Sequence, residues 1–409
     1  MQLIKTPTKG MNDYLPRETR LREYVKSVII RAYEKSGFSM IETPAVEHIE
    51  NLTGKNGGDN EKLIFKIMKR GEKLNEAAAG DAELCDSGLR YDLTVPLSRY
   101  YANNQAKLTT PFMAMQIGNV WRADRPQKGR FRQFTQCDID ILGDATPLAE
   151  ITLISATTGV LRELGFDNFT VRINDRRLLK VCADYCGFAP EDCDRVFISL
   201  DKMDKIGLGG VREDLISEGF APEIVDKYIA LYDGGDVSVS DFVRDRLGGN
   251  GADIAASLEG IMRCATAATA GGCSLKFDPT LVRGMSYYTG TIFEISMDGY
   301  GYAVGGGGRY DEMLAKFSGM KTPACGFSLG FERIVAALAD RGFEPPAAER
   351  RVVFLAAKGM DEERMLAMFA DAAALRAEGA QVLVTPRMKN VGFQKTKLSE
   401  DGYTEFVEY

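Results

Sequence analysis

Apolar residues recur at helical spacing through Glu18–Ser36, where Leu21, Tyr24, Val25, Val28, Ile29, Ala32 and Tyr33 share one face. Gly37 ends that helix, and a strand at Phe38–Glu42 stops at Pro44. A long helix leading into a strand whose edge carries Pro suits a dimer surface and plain packing equally. Strands are predicted at Leu63–Met68 and Gly88–Leu93, with the polar, Ala-rich Asn75–Asp86 between them as a loop. The second strand hands over to a helix with Pro96 in its first turn, which leaves Asp92 and Thr94 at a strand's end.

Two strands joined by a short loop follow at Gly118–Gly143. On the returning strand, period two sends Arg132, Phe134, Gln136, Asp138 and Asp140 one way, and Phe131, Cys137, Ile139 and Ile141 the other. A strand face with one Gln and two Asp is rarely buried unless something polar sits on it. Arg122, Arg125, Lys128, Arg130 and Arg132 crowd the turn, where Pro126 and Gly129 supply the turn chemistry. Guanidinium groups on a fixed hairpin suit a polyphosphate, and a solvated hairpin with a basic tip is the alternative.

Pro147–Leu164 reads as a helix and Thr170–Ile173 as a strand. From Asp175 to Gly272, amphipathic helices with short polar connectors dominate, a helical insertion within one catalytic domain. Strands resume at Ser274, run through Thr291–Ser296 and Tyr300–Val304, and end in Gly305–Gly308. After the linker Pro345–Glu349 come a strand at Val352–Ala356, a helix at Asp361–Glu378, a strand at Gln381–Thr385, a helix at Lys389–Glu400 and a short Glu405–Tyr409. That alternation predicts a small, partly parallel α/β domain.

Composition narrows the class. The net charge of −7 argues against nonspecific coating of nucleic acid but leaves room for a local basic surface that meets a structured RNA. Eight Cys, many inside apolar segments, do not form a disulfide framework. With His48 the only His, the Cys182, Cys186 and Cys193 cluster is a poor zinc site. No stretch reaches the roughly 18 apolar residues of a membrane span, and the N-terminus lacks a signal-peptide core. The expectation is a cytoplasmic protein with no membrane partner.

Three later segments carry candidate chemistry. In LVRGMSYYTG, Arg283 stands beside Gly284, and Tyr287 and Tyr288 follow within one turn or a tight bend; the Arg reads either as a ligand cation or as an Arg covering Tyr rings. In YAVGGGGRYD, a strand runs into four glycines and a helix opening with Arg309, which suits either close backbone approach to a ligand or a glycine bulge. In ACGFSLGFERIVAAL, Arg333 in the first turns of an apolar helix reads as a phosphate contact or a surface charge.

Together, the Arg-bearing hairpin and the late GFER strand–helix resemble the class II aminoacyl-tRNA synthetases. RPQKGRFRQF, LVRGMSYYTG and GGGGRYD narrow the resemblance to the histidyl-tRNA synthetases, over roughly residues 9–338 including KGMNDYLP. The resemblance implies an α+β fold with a six-stranded antiparallel catalytic sheet and flanking helices, at residues 1–174 and 273–344. A helical insertion at 175–272 and a small α/β anticodon-binding-like domain at 350–409, shorter than the family's, complete it. It further implies a homodimer that uses ATP, Mg2+, L-histidine and the histidine tRNA.

Roles carry over by position. Arg122 resembles the Arg that holds the α-phosphate, and Asp124 the acid that reads the adenine amino group. Arg130 resembles the loop Arg at the outer phosphates, Arg333 the Arg on ATP's opposite side, and Arg283 the Arg that stabilises charge at the α-phosphate. Asp92, Thr94, Gln136, Asp140, Tyr287 and Tyr288 match positions around the amino acid. Asp stands at 92, 124 and 140 where many bacterial members carry Glu, and Ser286 where an acid or amide is common. A non-charging paralogue, such as the regulatory subunit of ATP phosphoribosyltransferase, is the alternative. Such paralogues lose the Arg and Tyr of LVRGMSYYTG, which are intact here. An enzyme that makes an adenylate for another acceptor is the third reading.

Overall fold

The computed structural model describes residues 3–53, 58–80, 83–126, 130–269, 271–283, 287–346 and 350–409. The expectations for Lys128, Gly129, Gly284 and Ser286 fall outside the described residues. Two compact units divide the chain: Met1–Asn12 with Val25–Ala337, and Asp13–Tyr24 with Leu338–Tyr409.

In chain order the first unit contains β1 (Ser39–Met40), β2 (Val46–His48), β3 (Lys66–Met68), β4 (Cys85–Leu89), β5 (Phe112–Trp121) and β6 (Gln133–Leu142). It continues with β7 (Phe169–Asp175), β8 (Ser274–Phe277), β9 (Thr291–Met297), β10 (Ala303–Arg309) and β11 (Ala324–Leu329). β2, β4 and β3 form a small antiparallel sheet. The other eight make one sheet in the order β1-β5-β6-β11-β10-β9-β7-β8. The expected six antiparallel strands are thus corrected to eight strands in a mixed sheet. The run from β5 to β7 pairs antiparallel, while β1 and β8 join the edges in parallel. Parallel pairing needs a long crossover. The helices of 176–268 supply one between β7 and β8, and the chain from 41 to 111 supplies the other.

Register explains the two faces. Met115, Ile139, Phe327, Gly307, Phe293 and Ile173 stand opposite one another across the inner strands, an apolar row. Gly307 leaves room for the Phe293 and Phe327 rings to stack across it at 4.8 Å. The helix Leu148–Glu163 packs against β6 and β11. One residue along, and so on the other face, the row reads Gln116, Asp138, Ser328, Gly306, Glu294 and Arg172. One face is core; the other is built for polar contact.

The helical stretch after β7 comprises Arg176–Cys186, Cys193–Leu200, Met203–Ser217, Pro222–Ala230, Val239–Arg246 and Ala252–Ala268. Val211, Leu215, Tyr228 and Phe242 are among its fully buried side chains. The loop expected at Asn75–Asp86 is partly helix, Glu72–Ala79, because a run of Ala favours helix over loop even where its neighbours are polar.

In the second unit, β12 (Arg351–Ala356), β13 (Gln381–Pro386) and β14 (Glu405–Glu408) form a sheet in the order β13-β12-β14. Both pairings are parallel, where only part was expected to be. Val352, Phe354, Met368, Ala372 and Val382 make its core, and the Tyr409 ring lies 4.9 Å from that of Phe354. Among the described residues, no helix is long and apolar enough to cross a membrane.

Candidate active site

The polar face of the large sheet floors a cavity of about 410 Å3, within the range of small-molecule sites. All eleven candidate residues line it. Asp92 and Thr94 come from the start of the helix Thr94–Asn104, and Arg122, Asp124 and Arg130 from the turn after β5. Gln136 and Asp140 project from β6, Tyr287 and Tyr288 from the segment before β9, and Arg283 and Arg333 complete the set.

The hairpin's cations divide. Arg122 donates from Nε to the Tyr91 carbonyl at 3.0 Å and lies between the Tyr91 and Phe134 rings, at 4.9 and 5.1 Å. Arg130 reaches within 3.9 Å of Asp124. Arg132 instead turns back on its own loop and donates to the Asp124 carbonyl at 3.0 Å, while Arg125 is exposed. The basic tip is therefore two cavity cations, one loop brace and one surface charge among its described residues.

At the acidic end, Asp92 accepts from the Val95 amide at 3.1 Å and so caps the helix behind it. The Tyr310 hydroxyl donates to Asp140 Oδ1 at 2.5 Å. Gln136 donates to Ser328 Oγ at 3.2 Å. Asp92 Oδ2, Asp138 Oδ1, Gln136 Oε1 and Arg283 Nε are buried without a hydrogen-bond partner from the protein. Unpaired buried polar atoms of this kind are costly. Four around one cavity mark it as a place for a polar ligand.

Burial pushes all three carboxyls up. Asp140 rises to about 7, against the hydrogen bond from Tyr310 and with help from the Asp92 charge. Asp138 stands well above the usual carboxylate range, by its burial first and then by the neighbouring Asp140 charge. Asp92 is raised by burial against the Val95 amide and Arg122. Each of these acids gains from a cation brought to it. Among the arginines, burial and then Arg130 lower Arg333, whose Nη1 donates to the Ala303 carbonyl. Burial opposes the Arg283 charge too, but Tyr288 and Glu294 outweigh it and raise the group.

The glycine run needs correction. Gly305–Gly308 do not lead into a helix opened by Arg309; they lie inside β10, and Arg309 ends that strand. They are needed for space. A Cβ on Gly306 would stand 2.5 Å from the Arg283 guanidinium carbon, and one on Gly326 would collide with the Asp140 carboxylate. Arg309 pairs within the core: its Nε and Nη2 each donate to Glu150 at 2.7 Å, both groups buried. Arg309→Ala is expected to cost about 3–5 kcal/mol in a denaturant titration, since it strands the Glu150 charge in the core.

Sequence reasoning left Asp138, Glu294, Tyr310, Ser328 and Glu332 out of the site, although all line the cavity. A signal existed for two. Asp138 shares the period-two face of Gln136 and Asp140, and Glu294 and Ser296 are the polar alternates within Thr291–Met297. Tyr310 and Glu332 follow strand ends, where periodicity says nothing.

A histidyl-tRNA synthetase family model matches residues 10–334. The histidine–tRNA ligase of Leifsonia xyli subsp. xyli is 43% identical, over 98% of this chain and 94% of that protein. The Gloeobacter violaceus histidine–tRNA ligase is 39% identical, over 81% of this chain and 75% of that protein. Among solved structures, a histidyl-tRNA synthetase from Nostoc sp. superposes with a TM-score of 0.79 at 27% identity, covering 98% of this chain and 90% of that one. A Bacillus halodurans structure described as an ATP phosphoribosyltransferase regulatory subunit/histidyl-tRNA synthetase also gives 0.79, covering 100% and 99%; at 22% identity it shows likeness of fold alone. The match over residues 10–334 and the near-full-length relative make the chain an aminoacyl-tRNA synthetase. Within that class the chain belongs to the histidyl-tRNA synthetase family.

Proposed function

We propose that this cavity activates L-histidine with ATP and that the chain transfers the acyl group to the histidine tRNA. The observation that carries the reading is the joining of four arginines and three buried acids in one cavity. A histidine carboxylate oxygen attacks the α-phosphorus, the bond to pyrophosphate breaks, and histidyl-adenylate forms. A ribose hydroxyl of the terminal tRNA nucleotide then attacks the acyl carbon, and AMP leaves. The substrate supplies the nucleophile, so the protein's work is alignment and placement of cations where negative charge grows.

Arg122 and Arg283 act at the α-phosphate, Arg130 at the outer phosphates, Arg333 on the opposite side of ATP, and Asp124 at the adenine amino group. Asp92, Thr94, Gln136, Asp140, Tyr287 and Tyr288 surround the amino acid, where the acids pair with its ammonium and imidazole. Mg2+ accompanies the triphosphate. Among the described residues no three His, Cys, Asp or Glu gather as a metal cluster. The fit is to an ion held mainly by phosphate oxygens, with Glu332 as the lining acid that would complete its shell. On this reading residues 1–174 and 273–344 are the catalytic domain of a cytoplasmic homodimer, 175–272 is an insertion, and 350–409 meets the anticodon.

Amino-acid-dependent ATP–pyrophosphate exchange, run with each of the standard amino acids, tests the assignment. Exchange with histidine alone is expected, followed by charging of the histidine tRNA. Absence of exchange with histidine would favour a regulatory paralogue instead, and exchange without charging would favour another acceptor.

A further inference from the structure

Arg283 is the one described residue other than glycine with a positive φ, 62°. L side chains disfavour that conformation, and it persists only where surroundings enforce it. Here the enforcing groups can be followed outward. Arg283 Nη1 donates to Glu294 Oε2 at 2.6 Å, and its guanidinium lies over Gly306, the residue directly across the ladder from Glu294. Glu294 Oε1 accepts from Nη1 of Arg172, its neighbour in register on β7, at 3.4 Å. Arg172 is anchored in turn: its Nε donates to Asp278 Oδ2 at 2.5 Å, and its Nη1 to Asp204 Oδ2 at 3.1 Å.

Asp204 belongs to the first turn of Met203–Ser217, inside the helical stretch, and its side chain is 70% exposed. Three residues earlier, burial raises the Asp201 carboxyl, and the charges of Arg283 and Glu294 act on it in opposite senses. The start of this helix therefore stands within electrostatic reach of the cavity cation.

We propose that Glu294 is a positioning residue for Arg283, and that Asp204, acting through Arg172, makes this positioning depend on the helical stretch. The proposal rests on Arg283 serving adenylate formation as set out above. Its physical basis is sharing. One Arg172 nitrogen serves both Asp204 and Glu294, and one carboxylate serves both Arg172 and Arg283. Without Asp204, that nitrogen keeps Glu294 alone and draws the carboxylate away from Arg283. A shift of the helix thus reaches the cavity through two discrete ion pairs.

Exchange by the wild-type protein is measured first. Its absence overturns the functional reading and is distinct from any result on the relay. Glu294→Gln keeps the shape and an acceptor; kcat for exchange is expected to fall about 10- to 100-fold, as for other groups that orient a reacting residue. KM for ATP and histidine should stay within about threefold, the mark of an interaction made only in the transition state. Asp204→Asn, at an exposed site, is expected to lower kcat about threefold or more at an unchanged melting temperature, and to add nothing on a Glu294→Gln background. Full multiplication of the two effects, or either single variant within about twofold of wild type, overturns the relay. Should Glu294→Gln not fold, Asp204→Asn alone decides, and an unchanged kcat overturns it.

Discussion

Arg283→Ala is expected to lower histidine-dependent ATP–pyrophosphate exchange about 10³-fold while the protein stays folded. The size follows from where the cation stands. It faces a cavity that also holds Arg122, Arg130 and Arg333, and its Nε has no partner within the protein. A donor held ready in a water-poor site stabilises charge far better than the same donor in water. The fold has less to lose. Glu294 keeps Arg172 when Arg283 is gone, so no buried carboxylate is stranded. Arg283→Gly should be as inactive and more stable by about 1 kcal/mol, because glycine tolerates the left-handed backbone that Arg resists. Near-normal exchange by either variant with an intact melting transition would sink the assigned role. Arg283→Lys should recover little, since an ammonium lacks the planar fork that meets Glu294 on one edge and a phosphate on another.

Much of this cavity was legible from local pattern. A strand face bearing Gln136, Asp138 and Asp140 has to find a polar partner, and in the structure it floors the cavity. Arg122 and Asp92 sit at strand and helix ends, the places where side chains reach past a sheet. The hidden part depended on register. Nothing local in Thr291–Met297 says that Glu294 will lie opposite Gly306 and beside Arg283; that pairing joins chain segments brought together by three antiparallel strands. Arg309 illustrates the opposite error. Its place after four glycines resembles a ligand-binding turn, yet its partner Glu150 is 159 positions away in sequence and on the core side of the sheet.

The sheet itself was underestimated for a related reason. β1 has two residues and β8 four, and each adds to an edge already complete within the antiparallel run. Hydrophobic alternation identifies a strand; it carries no information on whether a short one pairs, or in which direction. The glycines of β10 mislead in the same way. Four in succession suggest a ligand contact or a bulge, but packing over them is dense, and at Gly306, Gly307 and Gly308 a neighbour occupies the space a Cβ would take.

Asp140→Asn is expected to abolish histidine activation and, at the same time, to stabilise the ligand-free protein. Burial holds the Asp140 carboxyl at about 7 in the folded state, far above its unfolded value. A raised acid binds its proton more tightly when folded, so the native state loses stability as pH climbs from the unfolded pKa to about 7, and no further above it. Asn has no proton to lose and escapes that cost. Its amide oxygen can still accept from Tyr310, so the pocket keeps its shape. The melting-temperature gain of the variant should therefore be near zero at about pH 4, grow toward pH 7 and level off. A gain independent of pH would show that packing, not charge, is responsible. Activity should move the other way. A site built around a buried carboxylate loses roughly 10³-fold or more in kcat/KM when the partner of a substrate cation is neutralised. In the wild type, KM for histidine should fall as pH rises through about 7, as Asp140 ionises and can meet the substrate's positive charge. A flat KM profile across that range, or Asp140→Asn activity near wild type, would assign histidine recognition to Asp92 and Asp138 instead. The charge that weakens the empty protein is on this account the one that selects its amino acid.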